Sequence, residues 1–301
     1  MEIAVTSHAS ASVGTGATFE DRQPPDFIET GAGPLVVLVH SSLSGARQWS
    51  ALMETLQDRF LVRAVNMFGY GRTPAWSRSQ PPSLDDFAAL VADAIPPAAR
   101  KVHLVGHSMG GAVAMWAATR QLRGKVASLV LIEPSLFFLL YRCGRHKAYA
   151  EITAVLQRVS MLIAEGKPQA AAEHFVDYWS GRGAWAATPP ARQAFFARTL
   201  AVVQSEAAAL LRSPHGSLDW IADLPDDTLL MCSDNTTRPA REIVEVLSQA
   251  RPDWALARIA EAGHMAPLTH PELVNRTIKA FITSTEELGS RAARHAFSRK
   301  A

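Results

Sequence analysis

The chain has 301 residues, 48% of them hydrophobic, which is enough to bury a full core in one large domain carrying an insertion. Its 30 Lys and Arg against 28 Asp and Glu leave a formal charge of +2, and no basic stripe interleaved with aromatics runs through it, so nucleic acid is excluded as an expected partner. Cys143 and Cys232 lie far apart without metal-ligand or redox spacing, which excludes a disulfide framework and a zinc site and points to a reducing, cytoplasmic setting.

Met1 to Thr18 lack the positive n-region and the apolar run of a signal peptide, and no later stretch is expected to stay apolar for the roughly 18 residues of a membrane span. From Ser7 to Pro25 the composition is Ser, Ala, Gly and Thr closing on Gln23-Pro24-Pro25, which offers little apolar area to offset ordering entropy, so residues 1–25 read as a loosely docked arm. Pro34-Leu35-Val36-Val37-Leu38-Val39-His40 is a short apolar, β-branched run, the pattern of a strand buried on both faces. Then come a helix over Ser44–Gln57, a strand Leu61–Asn66, a helix from Ser83 with Leu84, Phe87, Ala88 and Val91 on one face, a strand Val102–Val105, a helix Met109–Gln121 and a strand Val126–Ile132. This βαβ order predicts an α/β fold with a mostly parallel sheet flanked by helices and joined by right-handed crossovers.

Between 134 and 224 the alternation stops, and a helical, aromatic-rich insertion is expected, with Phe137, Phe138, Phe175, Trp179 and Phe196 among its rings. It resumes with a strand Thr228–Cys232, a helix Ala240–Gln249, a strand Trp254–Ile259 and a helix Pro271–Thr283, where proline suits the first helical position. The core is thus expected over 26–133 and 225–285, and a polar, basic, frayed tail over 286–301.

The motif that carries chemistry is Gly106-His107-Ser108-Met109-Gly110, a G-x-S-x-G that follows a strand and opens a helix. Such a turn holds the serine in a strained conformation with its hydroxyl presented, and the glycines are required because a Cβ would collide with the neighbouring strand and helix. A serine hydroxyl needs a base to become a nucleophile. His264, in Gly263-His264-Met265 between the last strand and the last helix, sits at the same carboxyl end of the sheet as Ser108, with His270 as the alternative. The developing oxyanion requires preset donors, expected from the backbone N–H groups of Met109, at the helix start, and of Ser42, in the loop after the first buried strand. His40 and His107 each adjoin a tight turn and read as structural or pocket-lining.

Val39-His40-Ser41-Ser42, Phe68-Gly69-Tyr70-Gly71-Arg72-Thr73, Gly106 to Gly111 and Gly263-His264 together resemble the α/β-hydrolase superfamily from about Gly33 to Thr283. Ser41 stands where the family usually has glycine, and Asn66 where it commonly has aspartate; neither change removes a catalytic side chain. The resemblance implies a carboxylate that orients the histidine. In similar proteins it most often follows the penultimate strand, which makes Asp234 a candidate, although the usual position falls nearer Asn235 or Thr236. Some relatives, certain haloalkane dehalogenases among them, place it after the earlier strand, which makes Glu133 the other. Epoxide hydrolase and dehalogenase chemistry is disfavoured, because it needs a carboxylate at the elbow, where this chain has Ser108.

The expectation is therefore a serine hydrolase that cleaves a carboxylic ester, thioester, lactone or amide with a hydrophobic acyl or alcohol group through an acyl-enzyme, acting on a small molecule without metal or organic cofactor. The alternatives are a C–C bond hydrolase or acyltransferase on the same scaffold and a ligand-binding protein that keeps the fold without turnover. Substrate identity and oligomeric state are open.

Overall fold

The computed structural model describes residues 24–212 and 218–298. All but the last two residues of the expected 1–25 arm therefore lie outside the described residues. Seven strands form one sheet: β1 (Phe27–Thr30), β2 (Leu35–Val39), β3 (Leu61–Val65), β4 (Val102–His107), β5 (Val126–Ile132), β6 (Thr228–Ser233) and β7 (Ala255–Ile259), in the spatial order β1-β3-β2-β4-β5-β6-β7. All pairs are parallel except β1 with β3. The expected α/β fold with a mostly parallel sheet is what the chain adopts.

β1 is the strand that periodicity did not predict. Its four residues are all half-buried or exposed, because an edge strand with one ladder partner carries no continuous apolar run. β2 shows the opposite case, with all five residues buried. Its pleat sends Val36 and Leu38 to one core layer and Leu35, Val37 and Val39 to the other, as period-two geometry dictates.

The layer behind Val36 and Leu38 is closed by helix α1 (Ser50–Leu56), preceded by a 3-10 turn Ala46–Trp49, and by a long C-terminal helix. The opposite layer is closed by α2 (Leu84–Asp93), α3 (Met109–Thr119) and, beyond the insertion, α8 (Arg238–Ala250). α2 starts on a capping box: Ser83 Oγ accepts the Asp86 N–H at 3.2 Å, and the Asp86 carboxylate accepts the Ser83 N–H at 2.9 Å. These two bonds satisfy donors that a helix start leaves open.

Among the described residues four α-helices and a 3-10 turn, Asp219–Asp223, follow β5 before the chain returns to β6: α4 (Phe137–Arg142), α5 (His146–Ala164), α6 (Pro168–Ser180) and α7 (Pro190–Leu211). α5 packs on α6 and α6 on α7, while α7 also touches α3 and α4. α7 corrects the expectation that no stretch is apolar enough to span a membrane. Its mean hydropathy reaches 1.3 over 18 residues, 44% of that stretch being buried inside the protein. Isolated polar residues in an alanine-rich run had masked this; Leu200, Val203 and Leu210 of α7 pack into the larger core layer.

The end of the chain differs from expectation as well. After the short α9 (Ala266–Thr269), helix α10 runs from Pro271 to Ser298 and does not fray at residue 286. Glu286 accepts the Nε2–H of buried His103 on β4 at 2.9 Å, and Glu287 pairs with Arg59 at 3.5 Å. Two of the polar residues that look like a tail are thus bonded to the core, Glu286 to β4 and Glu287 to the turn that precedes β3.

Candidate active site

Ser108 stands between β4 and α3 with φ 54° and ψ −117°. A positive φ costs a non-glycine residue of order 1–3 kcal/mol and persists only where the surroundings hold it. Here they do, because the Ser108 N–H donates to the Ile132 carbonyl at 2.9 Å and the flanking backbones are in contact. A Cβ on Gly106 would lie 2.3 Å from the Gly110 carbonyl oxygen, and one on Gly110 only 2.1 Å from that of Val39. The glycines therefore serve close approach of the turn to β2 and α3, as expected.

Three side chains from three strand ends meet at this turn. Ser108 Oγ lies 2.9 Å from His264 Nε2, and His264 Nδ1 lies 2.6 Å from Glu133 Oε2. Ser108, His264 and Glu133 are 7%, 3% and 0% exposed, so the chain of bonds runs through a low-dielectric interior where such contacts count most. Glu133 directly follows β5 and is itself strained, with φ 44°. Its carboxylate also accepts the Ser233 N–H at 2.7 Å and the Thr236 hydroxyl at 2.5 Å. Burial pushes the Glu133 carboxyl up, but His264, Thr236 and the Ser233 amide outweigh it and hold its pKa at about 2.

Asp234, the other acid candidate, does not join them. Its backbone still pairs with β7, Asp234 N–H to the Ile259 carbonyl at 3.1 Å, so the pleat that buries Ser233 turns the next side chain outward. The Asp234 carboxylate is 46% exposed and faces Arg258 at 3.8 Å. The site after β6 is filled by the Thr236 hydroxyl, at one of the two positions nearest to where similar proteins usually carry the acid. His270 is also set apart; its Nδ1 meets Thr269 Oγ1 at 2.9 Å.

His40 and His107 are fully buried and spend both ring nitrogens on neighbours. His40 donates from Nδ1 to the Ser41 carbonyl at 2.7 Å and accepts the Met67 N–H on Nε2 at 3.1 Å. His107 donates from Nε2 to the His264 carbonyl at 2.9 Å and accepts from Gln48 Nε2 at 3.2 Å. Desolvation lowers both, His40 to about 4 and His107 to about 3, which keeps them neutral. Ser41, at the place usually held by glycine, is accommodated by Gln48, whose Oε1 accepts both its N–H and its hydroxyl. Asn66, at the place of the usual aspartate, accepts the Ala46 N–H and donates to the Asp26 carboxylate, so that a carboxylate still stands at this loop.

Ser42, Ser108 and His264 share a cavity of about 220 Å³ whose walls include Phe175, Trp179 and Leu210 of the inserted helices. Met109, buried and first in α3, has an N–H without an intrahelical acceptor. Three residues of this site had not been singled out from the sequence. Ser135 Oγ lies 3.0 Å from Ser108 Oγ. The Trp179 ring, until then one aromatic among many, is centred 4.3 Å from that of His264. Glu206 of α7 lines the cavity, is fully buried and accepts the Ser42 hydroxyl; burial raises its carboxyl to about 7 against the donors Ser42 and Tyr70. A lone acid in the apolar run Thr199–Leu211 was the signal that could have found it. Among the described residues no group of three His, Cys, Asp or Glu side chains could hold a metal ion.

Comparison with known proteins places these features in context. A pimeloyl-[acyl-carrier protein] methyl ester esterase of Methylococcus capsulatus is 29% identical, over 86% of this chain and 99% of its own length. Among solved structures, an esterase from Thermogutta terrifontis superposes with a TM-score of 0.65 at 22% identity, covering 86% of this chain and 93% of that one. An esterase from Exiguobacterium antarcticum does so with a TM-score of 0.69 at 19% identity, covering 85% and 94%. At these identities the two structures speak to the fold. With the model of the alpha/beta hydrolase family matching residues 36–277, the chain belongs to that family.

Proposed function

We propose that this protein is a serine esterase that hydrolyses a carboxylic ester with a hydrophobic acyl or alcohol group through an acyl-enzyme. The observation that carries the reading is the continuous set of short contacts from Glu133 through His264 to Ser108 at the wall of a largely apolar cavity. The relatives named as esterases support the choice of bond.

In this reading Ser108 Oγ attacks the ester carbonyl carbon while His264 Nε2 takes its proton. The tetrahedral oxyanion is received by the N–H groups of Ser42 and Met109, the latter at the positive end of α3. His264 returns the proton to the departing alcohol oxygen, then deprotonates the water that releases the acid and frees Ser108. Glu133 stays ionised throughout, holds Nδ1–H in place and stabilises the imidazolium. Helices α4 to α7, within residues 134–224, act as a cap over Ser108. A cavity of about 220 Å³, small beside the roughly 300–1,000 Å³ of many ligand pockets, suits a short or medium chain. Cys143 and Cys232 are free thiols, which fits a reducing, cytoplasmic setting.

The test is turnover of a chain-length series of p-nitrophenyl esters by wild type and Ser108→Ala, with fluorophosphonate labelling read by intact mass. Labelling and turnover should both vanish in Ser108→Ala while its Tm is kept. A variant that retains wild-type turnover would remove Ser108 from the mechanism.

A further inference from the structure

We propose that Ser135 is a further catalytic residue: its hydroxyl donates to Ser108 Oγ and stabilises that oxygen as it departs from the acyl group, speeding release of the acyl-enzyme more than its formation. The inference rests on the ester-hydrolase reading and deepens it by adding a residue to the second half of the reaction.

Ser135 lies two residues beyond Glu133, on the segment that leaves β5. It is 2% exposed and borders the cavity that Ser108 and His264 share. Its Oγ lies 3.0 Å from Ser108 Oγ, and its N–H donates to the Ser108 carbonyl at 3.0 Å, so it is tied to the nucleophile at two points. The segment has little room to shift. The Glu133 N–H donates to the Met231 carbonyl at 3.1 Å, and a Cβ on Gly111 would lie 3.0 Å from Pro134 Cα. The hydroxyl is thus in place before reaction begins, the condition under which a donor costs no reorganisation.

The neighbouring bonds fix the direction of the contact between the two serines. Glu133 is ionised, held at about 2, and can only accept. In the neutral imidazole Nδ1 therefore carries the proton, and Nε2 is the acceptor. The single proton of the Ser108 hydroxyl goes to Nε2. Ser135 is then the donor and Ser108 Oγ the acceptor, and among the described residues the Ser135 hydroxyl has no other acceptor.

The strength of this bond follows the charge on Ser108 Oγ. In the free enzyme Oγ is a hydroxyl oxygen that already accepts it, so attack gains only a small difference. In the acyl-enzyme Oγ is an ester oxygen whose lone pair is shared with the carbonyl, which makes it a weak acceptor. In release, water adds to the acyl carbon as His264 Nε2 takes its proton. The C–Oγ bond then breaks, its electron pair moves onto Oγ, and Nε2 returns the proton to that oxygen; Ser135 keeps its own proton throughout. A hydrogen bond to a charged oxygen is about twice as strong as one to a neutral oxygen. Only interactions that strengthen on the way to a transition state accelerate a step, so release gains more than attack.

The test follows Ser135→Ala and wild type by quenched-flow intact mass during turnover of p-nitrophenyl butanoate, reading the appearance and loss of the butanoyl adduct. Fluorophosphonate labelling of Ser108, which reports attack alone, is measured beside it, with Tm as the folding check. Ser135→Ala should lose the adduct at least about 10-fold more slowly than wild type, the scale of one hydrogen bond to a charged group. Its labelling rate should stay within about 3-fold, so that the adduct accumulates. Ser135→Cys, of similar volume with a weak donor, should fall between, and it supplies the same comparison where Ser135→Ala does not fold. Adduct loss at the wild-type rate in Ser135→Ala overturns the inference. So does slowing of labelling and adduct loss in equal measure, the mark of a residue that only shapes the turn. Wild type that turns over no ester overturns the esterase reading and this inference together, whereas normal turnover with an unaffected Ser135→Ala strikes this inference alone.

Discussion

At the scale of single residues, the site separates two acids that look interchangeable in sequence. Glu133 and Asp234 each follow a core strand, yet one is fully buried with three donors on its carboxylate and the other faces solvent beside Arg258. Glu133→Gln should lower kcat/KM by about 10²–10⁴-fold, since the amide cannot stabilise the imidazolium that forms during attack. Asp234→Asn should stay within about 3-fold of wild type, as expected for an exposed ion pair. Kinetics of the two variants on one ester check both; a large loss in Asp234→Asn with a small one in Glu133→Gln would reverse the assignment.

At the scale of elements, the serine turn works because β2, β4 and α3 come closer than side chains normally permit. Gly110→Ala places a Cβ against the Val39 carbonyl oxygen, backbone that cannot swing aside as a flexible side chain would. The substitution should cost about 2–3 kcal/mol, seen as a drop of roughly 5 °C in Tm. Fluorophosphonate labelling of Ser108 should slow with it, since the serine φ and ψ depend on the same contact. A Gly110→Ala protein with wild-type Tm and labelling rate would show that β2 and α3 have room to separate. Among the strands legible in sequence are those buried along their whole length, such as β2 and β4, and also the mostly exposed edge strand β7, whose apolar run is broken only by Arg258. β1 was not, because its residues are selected by one ladder to β3, and α10 was cut short because Glu286 and Glu287 look solvated until His103 and Arg59 are placed beside them.

For the molecule as a whole, two buried acids pull its stability in opposite directions with pH. Glu133, held at about 2 against an ordinary value of 4.5, contributes stability that is present above pH 4.5 and lost as pH falls toward 2. Glu206 is raised from 4.5 to about 7, so the folded chain keeps a proton that the unfolded chain gives up. Its contribution is full below pH 4.5, declines as pH rises to 7, and is then constant, for a total of about 3 kcal/mol. Glu206→Gln, which cannot ionise, should flatten that decline in a series of denaturant unfolding curves between pH 4.5 and 7.5. An unchanged slope would mean that Glu206 ionises normally in the folded protein.

What the sequence by itself determined is local chemistry and period. The G-x-S-x-G turn, the Gly-His loop and the alternation of buried runs with amphipathic ones each lie within a few residues of chain, so Ser108, His264, the parallel sheet and the helical insertion could be read directly. The tertiary structure alone decided which acid faces His264, because that depends on where β6 leaves its ladder with β7 and which way the pleat then points. It alone also brought Glu206 to Ser42 across 164 residues and Ser135 to Ser108. Such partners are chosen by how helices from the insertion settle over the sheet, a packing outcome on which no short stretch of sequence reports.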